Sequence, residues 1–258
     1  YIEKYGEYGG RLLQFYDNEG SPKILSDDSK KLLDIINKNY IKSLENKDDI
    51  DKNIRLNISY LSEFYLSLYK EMKGENVLQK QIIIDPDEIR KLLAPWGYDK
   101  TNTLEFHKIG GELTNVVSRK VFYEYDIKNI AFITGAPASG KSRALRNEAI
   151  AEKLNLNSYS VIYDSPITDF TIFAKERAEP FLNKGIKICY IQVYNDPVTT
   201  FKNMLHRGVN EGRFLPPLYF LYGLLAQKDR VRDIERWSDG VDGFIYMGID
   251  NSGNNVKE

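Results

Sequence analysis

The chain has 258 residues, of which 42% are hydrophobic and 28% charged, with a net charge of −1 at pH 7 and a pI near 6.3. That length can bury a sizeable core, as one large domain or as a core with an appendage, and the near-neutral balance without a basic stripe disfavours a sequence-independent grip on nucleic acid. One cysteine and two histidines exclude a disulfide scaffold, a cysteine zinc site and any credible transition-metal site. No apolar run reaches the roughly 18 residues of a membrane span, and no signal-peptide core is present, so no membrane span and no export signal are expected within this fragment. Cys189 lies inside the apolar run KICYIQVY and reads as a small core residue in a reducing compartment. The chain opens on Tyr1 rather than Met, so a longer parent is expected.

Residues 1–25 carry Gly6, Gly9, Gly10, Gly20 and Pro22 and read as irregular, with one short element at Arg11 to Tyr16. Ser26-Asp27-Asp28 starts a helix whose apolar face is Leu32, Leu33, Ile36, Tyr40 and Ile41. A second helix follows Lys47-Asp48-Asp49, with the stripe Ile50, Ile54, Ile58, Leu61, Tyr65, Leu68 and Met72, and Gly74 ends it. Neither helix carries a catalytic constellation, and residues 1–79 are taken as a helical appendage to an 80–258 domain.

Beyond it, strands and helices alternate. Short apolar runs at about 81–85, 129–134, 160–164, 186–194 and 243–249 predict five strands. Helical text separates them at Leu104 to Tyr123, Arg143 to Leu154, Phe170 to Asn183, Val198 to His206 and Tyr219 to Trp237. This alternation predicts an α/β fold with a parallel five-stranded sheet covered by helices on both faces. The 207–217 segment, Arg207-Gly208 through Arg213 to Pro216-Pro217, reads as a Gly-rich, Pro-stopped loop able to act as a lid.

The strand at 129–134 runs into GAPASGKS, which fits the phosphate-binding pattern G-x-x-x-x-G-K-[ST] at every fixed position. Gly135 and Gly140 allow the backbone to curl around an anion, and Ala136, Pro137, Ala138 and Ser139 complete the cradle. Lys141 would reach the β- and γ-phosphates, Ser142 would offer its hydroxyl to Mg²⁺, and the following helix would point its N-terminus at the same anion. ATP is the expected nucleotide, and GTP fits the same loop. GTPase motifs of the N-K-x-D and strand-following D-x-x-G kind are missing, and the run ending at Asp164 continues Ser165-Pro166 rather than as the Asp-Glu of a typical ATPase. A kinase also needs a proton acceptor and cations beside the moving phosphoryl group. Asp85 and Asp87, after the first strand, are one source of the base, and Asp164 is another. Asp85 and, less readily, Asp87 also suit a cap on the helix that follows. Arg207 and Arg213 are the candidate cations.

Taken together these residues resemble the zeta-toxin family of phosphate-loop kinases. The likeness rests on GAPASGKS at 135–142, IIIDPDEIR at 82–90 with Glu105-Phe106-His107 after it, VIYDSPITDF at 161–170 with IKICYIQVYNDPVTTF at 186–201, HRGVNEGRFLP at 206–216 and IDNSG at 249–253. The Asp-x-Asp strand here precedes the phosphate loop instead of following it, an order that resembles the mobile-element members of the family. The resemblance implies a phosphate-loop kinase sheet and transfer of the γ-phosphoryl group of ATP, with Mg²⁺, to a hydroxyl of a nucleotide-type small molecule, a sugar nucleotide such as UDP-N-acetylglucosamine or NAD. It implies Asp87 as base, Lys141 and Ser142 on phosphate and metal, Arg207 and Arg213 as clamps, and Asp85, Arg90, His107 and Asp164 on the substrate side. It also implies a toxin or effector in the bacterial cytoplasm or a host cytosol, with an antitoxin or inhibitor protein as partner. The competing readings are a nucleotide-binding regulatory module that engages a partner through residues 1–79, and a polynucleotide kinase-like enzyme.

Overall fold

The computed structural model describes residues 25–45, 49–73, 82–99, 101–141, 144, 148–164, 167, 169–212, 215–252 and 255–257. Residues 1–24 of the expected irregular stretch at 1–25, with its short element at Arg11 to Tyr16, and the Gly74 stop lie outside them. The described chain is α/β, and it divides into two compact units, one formed by residues 1–78 and 84–126 and the other by 79–83 and 127–258.

In the first unit, α1 (Asp27–Glu45) and α2 (Ile50–Lys73) form a pair. Leu33, Ile36 and Tyr40 of α1 and Ile54, Leu61, Phe64 and Leu68 of α2 are buried. The outer members of both predicted stripes, Ile41 and Ile50, are exposed, because a stripe three or four residues apart drifts around the helix over several turns. Ser29 Oγ meets Ser67 Oγ at 2.6 Å, and Asn39 Nδ2 donates to Asn57 Oδ1 at 2.9 Å, fixing the register of the pair. The chain continues through the strand β1 (Ile82–Ile84), the short helix α3 (Pro86–Arg90), a 3₁₀ turn (Lys91–Trp96) and α4 (His107–Glu124). Arg55 of α2 forks onto Glu112 of α4 with contacts of 2.8 and 3.0 Å, and Lys120 of α4 reaches Glu63 of α2 at 2.6 Å. Tyr40 packs edge-on against Trp96 and donates its hydroxyl to Pro95 O at 3.1 Å. Residues 84–126 therefore group with the two N-terminal helices.

The second unit is built on β2 (Asn129–Gly135), α5 (Glu148–Lys153), β3 (Val161–Asp164), α6 (Phe170–Phe173), a π-helical turn (Ala174–Ala178), α7 (Glu179–Leu182), β4 (Lys187–Tyr194), α8 (Pro197–Glu211), α9 (Pro217–Ser238), β5 (Phe244–Asp250) and β6 (Asn255–Lys257). The strand order is β1-β3-β2-β4-β5-β6. Pairs β2/β3, β2/β4 and β4/β5 are parallel, and β6, a short strand not expected from sequence, adds antiparallel to β5. The edge strand β1 is tied on by the Ile82 N–H, which donates to Ser160 O at 2.8 Å. One face of the sheet, Ala131, Ile133, Ile162, Cys189, Ile191, Val193 and Ile249, packs on Ala144, Ile150 and Leu154 after the loop. Phe132, Tyr190 and Phe244 on the other face make an aromatic cluster with Phe170, Phe173 and Trp237. Burial pushes the Cys189 thiol up to about 11, so it behaves as an inert core residue.

Candidate phosphate site

The central strand β2 ends at Gly135, and the chain curls through 136–140 before turning helical at Lys141. A Cβ on Gly135 would lie 2.6 Å from Val193 O and 2.7 Å from Ser139 Oγ, so only glycine lets the loop close against β4. Ala138 (φ 62°) and Gly140 (φ 87°) are both in the left-handed region. Left-handed residues among right-handed ones turn successive N–H groups to one side, the geometry of an anion-binding nest. Ser139 N–H closes a turn onto Ala136 O at 3.1 Å, and Ala144 N–H donates to Gly140 O at 2.9 Å to start the helix. Ala136 and Ser139 are buried, and Ser139 Oγ lacks a hydrogen-bond partner. Pro137 is backed by α9, where a Cβ on Gly223 would lie 2.9 Å from Pro137 Cδ. That helix is fixed by the buried Arg230. Its Nε donates to Ala226 O at 2.9 Å, Nη2 to Gly223 O at 3.0 Å and Nη1 to Ile167 O, while Ile167 N–H donates to Thr134 Oγ1 at 2.9 Å. The loop is thus held from the strand, from β4 and from α9. Ser142, the expected magnesium ligand, and Arg213 lie outside the described residues.

Asp164 ends β3 directly opposite Ile133, two residues before the loop. Arg207 is not in a lid loop. The helix expected to stop at His206 runs on to Glu211 and ends at Gly212, which takes the left-handed stop (φ 66°). Gly208 is buried within that helix, so its low propensity, about 1 kcal/mol against Ala, is outweighed by packing.

The Asp-x-Asp residues and their partners sit in the first unit. Asp85 is the N-cap of α3. Its Oδ1 accepts from the N–H of Asp87 at 2.8 Å and of Glu88 at 3.4 Å, with Pro86 at the first helical position. Asp87, in the first turn, accepts a 3.0 Å hydrogen bond from Arg90 Nη1, with Asp87 half-exposed and Arg90 buried. Arg90 lies flat on α4, where a Cβ at Gly110 would come 2.8 Å from Nε, and that Nε has no hydrogen-bond partner. His107, the first residue of α4, has its imidazole pKa lowered by burial and then by the Arg90 charge, with Asp87 opposing. Asp87, Arg90 and His107 therefore form one cluster, while Lys141, Asp164 and Arg207 belong to the second unit.

Sequence reasoning missed Gly110 as the floor under Arg90. It also missed three asparagines on the loop, Asn195, Asn203 and Asn251, although two of them stand directly after strand ends. No protein-family model matches the chain, and no curated protein matches it in sequence. Among the described residues no helix is long and apolar enough to cross a membrane, and no three His, Cys, Asp or Glu side chains group as a metal site.

Proposed function

We propose that this chain is a phosphate-loop kinase of the zeta-toxin kind, moving the γ-phosphoryl group of ATP to a hydroxyl of a nucleotide-type small molecule. The strand order carries the reading. The loop strand is central, the strand ending at Asp164 lies beside it, and the Asp-x-Asp strand is next, at the edge. An edge strand can be supplied from before the loop or after it without changing any neighbour in the sheet, so the displaced position of IIIDPDEIR is compatible with the family resemblance. The curled loop, with glycine demanded at 135 and 140, supports a phosphate ligand.

In such a transfer the acceptor oxygen forms a bond to the γ-phosphorus, the bond to the ADP oxygen breaks, and the hydroxyl proton passes to a carboxylate. The resemblance assigns that carboxylate to Asp87, with Asp164 as the alternative. Lys141 neutralises phosphate charge, and Arg207 and Arg213 are the further cations. Ser142 would hold Mg²⁺, which supplies charge neutralisation between the phosphates and needs few protein ligands when phosphate oxygens complete its shell. On this reading residues 84–126 serve the acceptor side, and the toxin or effector role, with an inhibitory protein partner, follows from the same resemblance.

The test is transfer of label from γ-labelled ATP to a panel of nucleotide sugars, NAD, nucleosides and short oligonucleotides. Label is expected on one nucleotide-type acceptor and is expected to be lost in Lys141→Ala, which removes the fixed cation from the phosphates. Undiminished transfer in that variant would sink the assignment, and ATP binding with no labelled acceptor would favour the regulatory module.

A further inference from the structure

Three asparagine carboxamides, each from a different element, meet the carbonyls of the phosphate loop. Asn251, just past β5, donates Nδ2–H to Ser139 O at 3.1 Å and to Gly140 O at 3.4 Å. Asn195, just past β4, donates to the same Ser139 O at 3.3 Å. Asn203, on α8, donates to Ala138 O at 3.3 Å. Two of these are themselves fixed. Asn251 N–H donates to Tyr194 O at 2.9 Å, which locks the ends of β4 and β5 together. Asn195 Oδ1 accepts from Asp196 N–H at 2.9 Å, which turns its amide nitrogen toward the loop. Asn251 Nδ2 also occupies the space where a Cβ on Gly140 would fall.

We propose that Asn195, Asn203 and Asn251 are positioning residues that aim the loop's N–H groups at a polyphosphate. The proposal rests on the reading of 135–142 as a phosphate-binding loop. A trans peptide is planar, with C=O and the next N–H pointing opposite ways. Holding Ser139 O and Gly140 O from outside therefore directs the N–H groups of Gly140 and Lys141 inward. The plane between Ala138 and Ser139 is held at both ends, its carbonyl by Asn203 and its N–H by Ala136 O. Ala138 needs that restraint, because its left-handed backbone is disfavoured for a residue with a Cβ and would otherwise relax. A preset nest binds an anion without a reordering cost.

The experiment is calorimetric titration of the full chain with inorganic tripolyphosphate and, separately, with MgATP. It compares wild type, Asn203→Ala, Asn251→Ala and Asn195→Ala/Asn251→Ala, with ligand-free melting recorded for each. Asn195 and Asn251 share one acceptor, so either covers in part for the other. The single variants are expected to weaken both ligands about threefold to fivefold, and the double variant more than tenfold. The loss should be equal for tripolyphosphate and MgATP, since only phosphate contacts are affected, and ligand-free melting should be unchanged for Asn203→Ala. Undiminished tripolyphosphate affinity in a folded double variant overturns the proposal. If the double variant does not fold, Asn203→Ala, at an exposed position, decides, and unchanged affinity there overturns it as well. A wild-type chain that binds neither ligand would overturn the phosphate-loop reading itself, and the proposal with it.

Discussion

Gly140 combines two demands that no other residue meets. Its φ of 87° is left-handed, and the site of its missing Cβ is taken by Asn251 Nδ2. Ala138 shows that the loop tolerates a left-handed alanine where space allows, at about 1–2 kcal/mol. At 140 the same strain would come with a steric conflict that pushes Asn251 off two carbonyls. Gly140→Ala is therefore expected to cost about 2–4 kcal/mol of stability in urea unfolding and to lose most tripolyphosphate affinity; retained affinity would mean that the loop does not hold the anion. In the first unit, His107 has a lowered pKa, from burial first and then from Arg90. A histidine whose folded pKa is lowered gives stability that is present above its ordinary value of 6.5 and lost as pH falls through the lower folded value. His107→Gln should flatten the fall in urea midpoint as pH drops below the ordinary histidine value, and Arg90→Met should raise the His107 titration seen by NMR. Gly110 is constrained by space alone: Gly110→Ala meets Arg90 Nε at 2.8 Å and is expected to destabilise by about 1–3 kcal/mol.

At the level of elements, α3 separates two roles that one sequence motif leaves merged. Asp85 and Asp87 both follow an apolar strand and precede a helix. Asp85 takes the cap, with its carboxylate on the N–H groups of residues 87 and 88, while Asp87 faces Arg90. Asparagine caps a helix as well as aspartate does. Asp85→Asn should then leave both stability and phosphoryl transfer nearly intact, and Asp85→Ala should cost about 0.5–2 kcal/mol. A collapse of transfer in Asp85→Asn at unchanged stability would instead make its charge part of the chemistry. The helix α8 shows where local signals fail. Gly208 looks like a stop, but a glycine ends a helix only when the backbone turns left-handed, and that turn comes at Gly212. The short β6 was hidden in the same way, because Asp250-Asn-Ser-Gly-Asn reads as a turn and three residues carry too little alternation to announce a strand.

Across the whole molecule, the five parallel-sheet strands were legible because buried strands of an α/β sheet are continuous apolar runs bounded by Gly, Asp and Asn. The tight curl after β2 was legible for a different reason: Gly135 has no room for a Cβ and Gly140 is left-handed, so the backbone itself demands glycine at both positions. The clamp of Asn195, Asn203 and Asn251 was not, since three residues spread over 57 positions meet only through the strand order. Residues 84–126 group with α1 and α2 while β1 enters the sheet. That topology makes one strand separable from the loop. The strand β2, which leads into the loop at 135–140, is held on both sides by β3 and β4, independently of β1. The Ile82 N–H, by contrast, ties β1 to Ser160 O at 2.8 Å. Ile82→Pro removes that donor at the first residue of an edge strand, a position where proline can be accommodated. If the Asp-x-Asp strand serves the acceptor, this variant should bind MgATP within about twofold of wild type, since no loop contact is touched, yet transfer label at least tenfold more slowly as the carboxylates after β1 lose their fixed position. Equal losses of MgATP binding and transfer would show instead that β1 supports the loop, and unchanged transfer would move the base to Asp164.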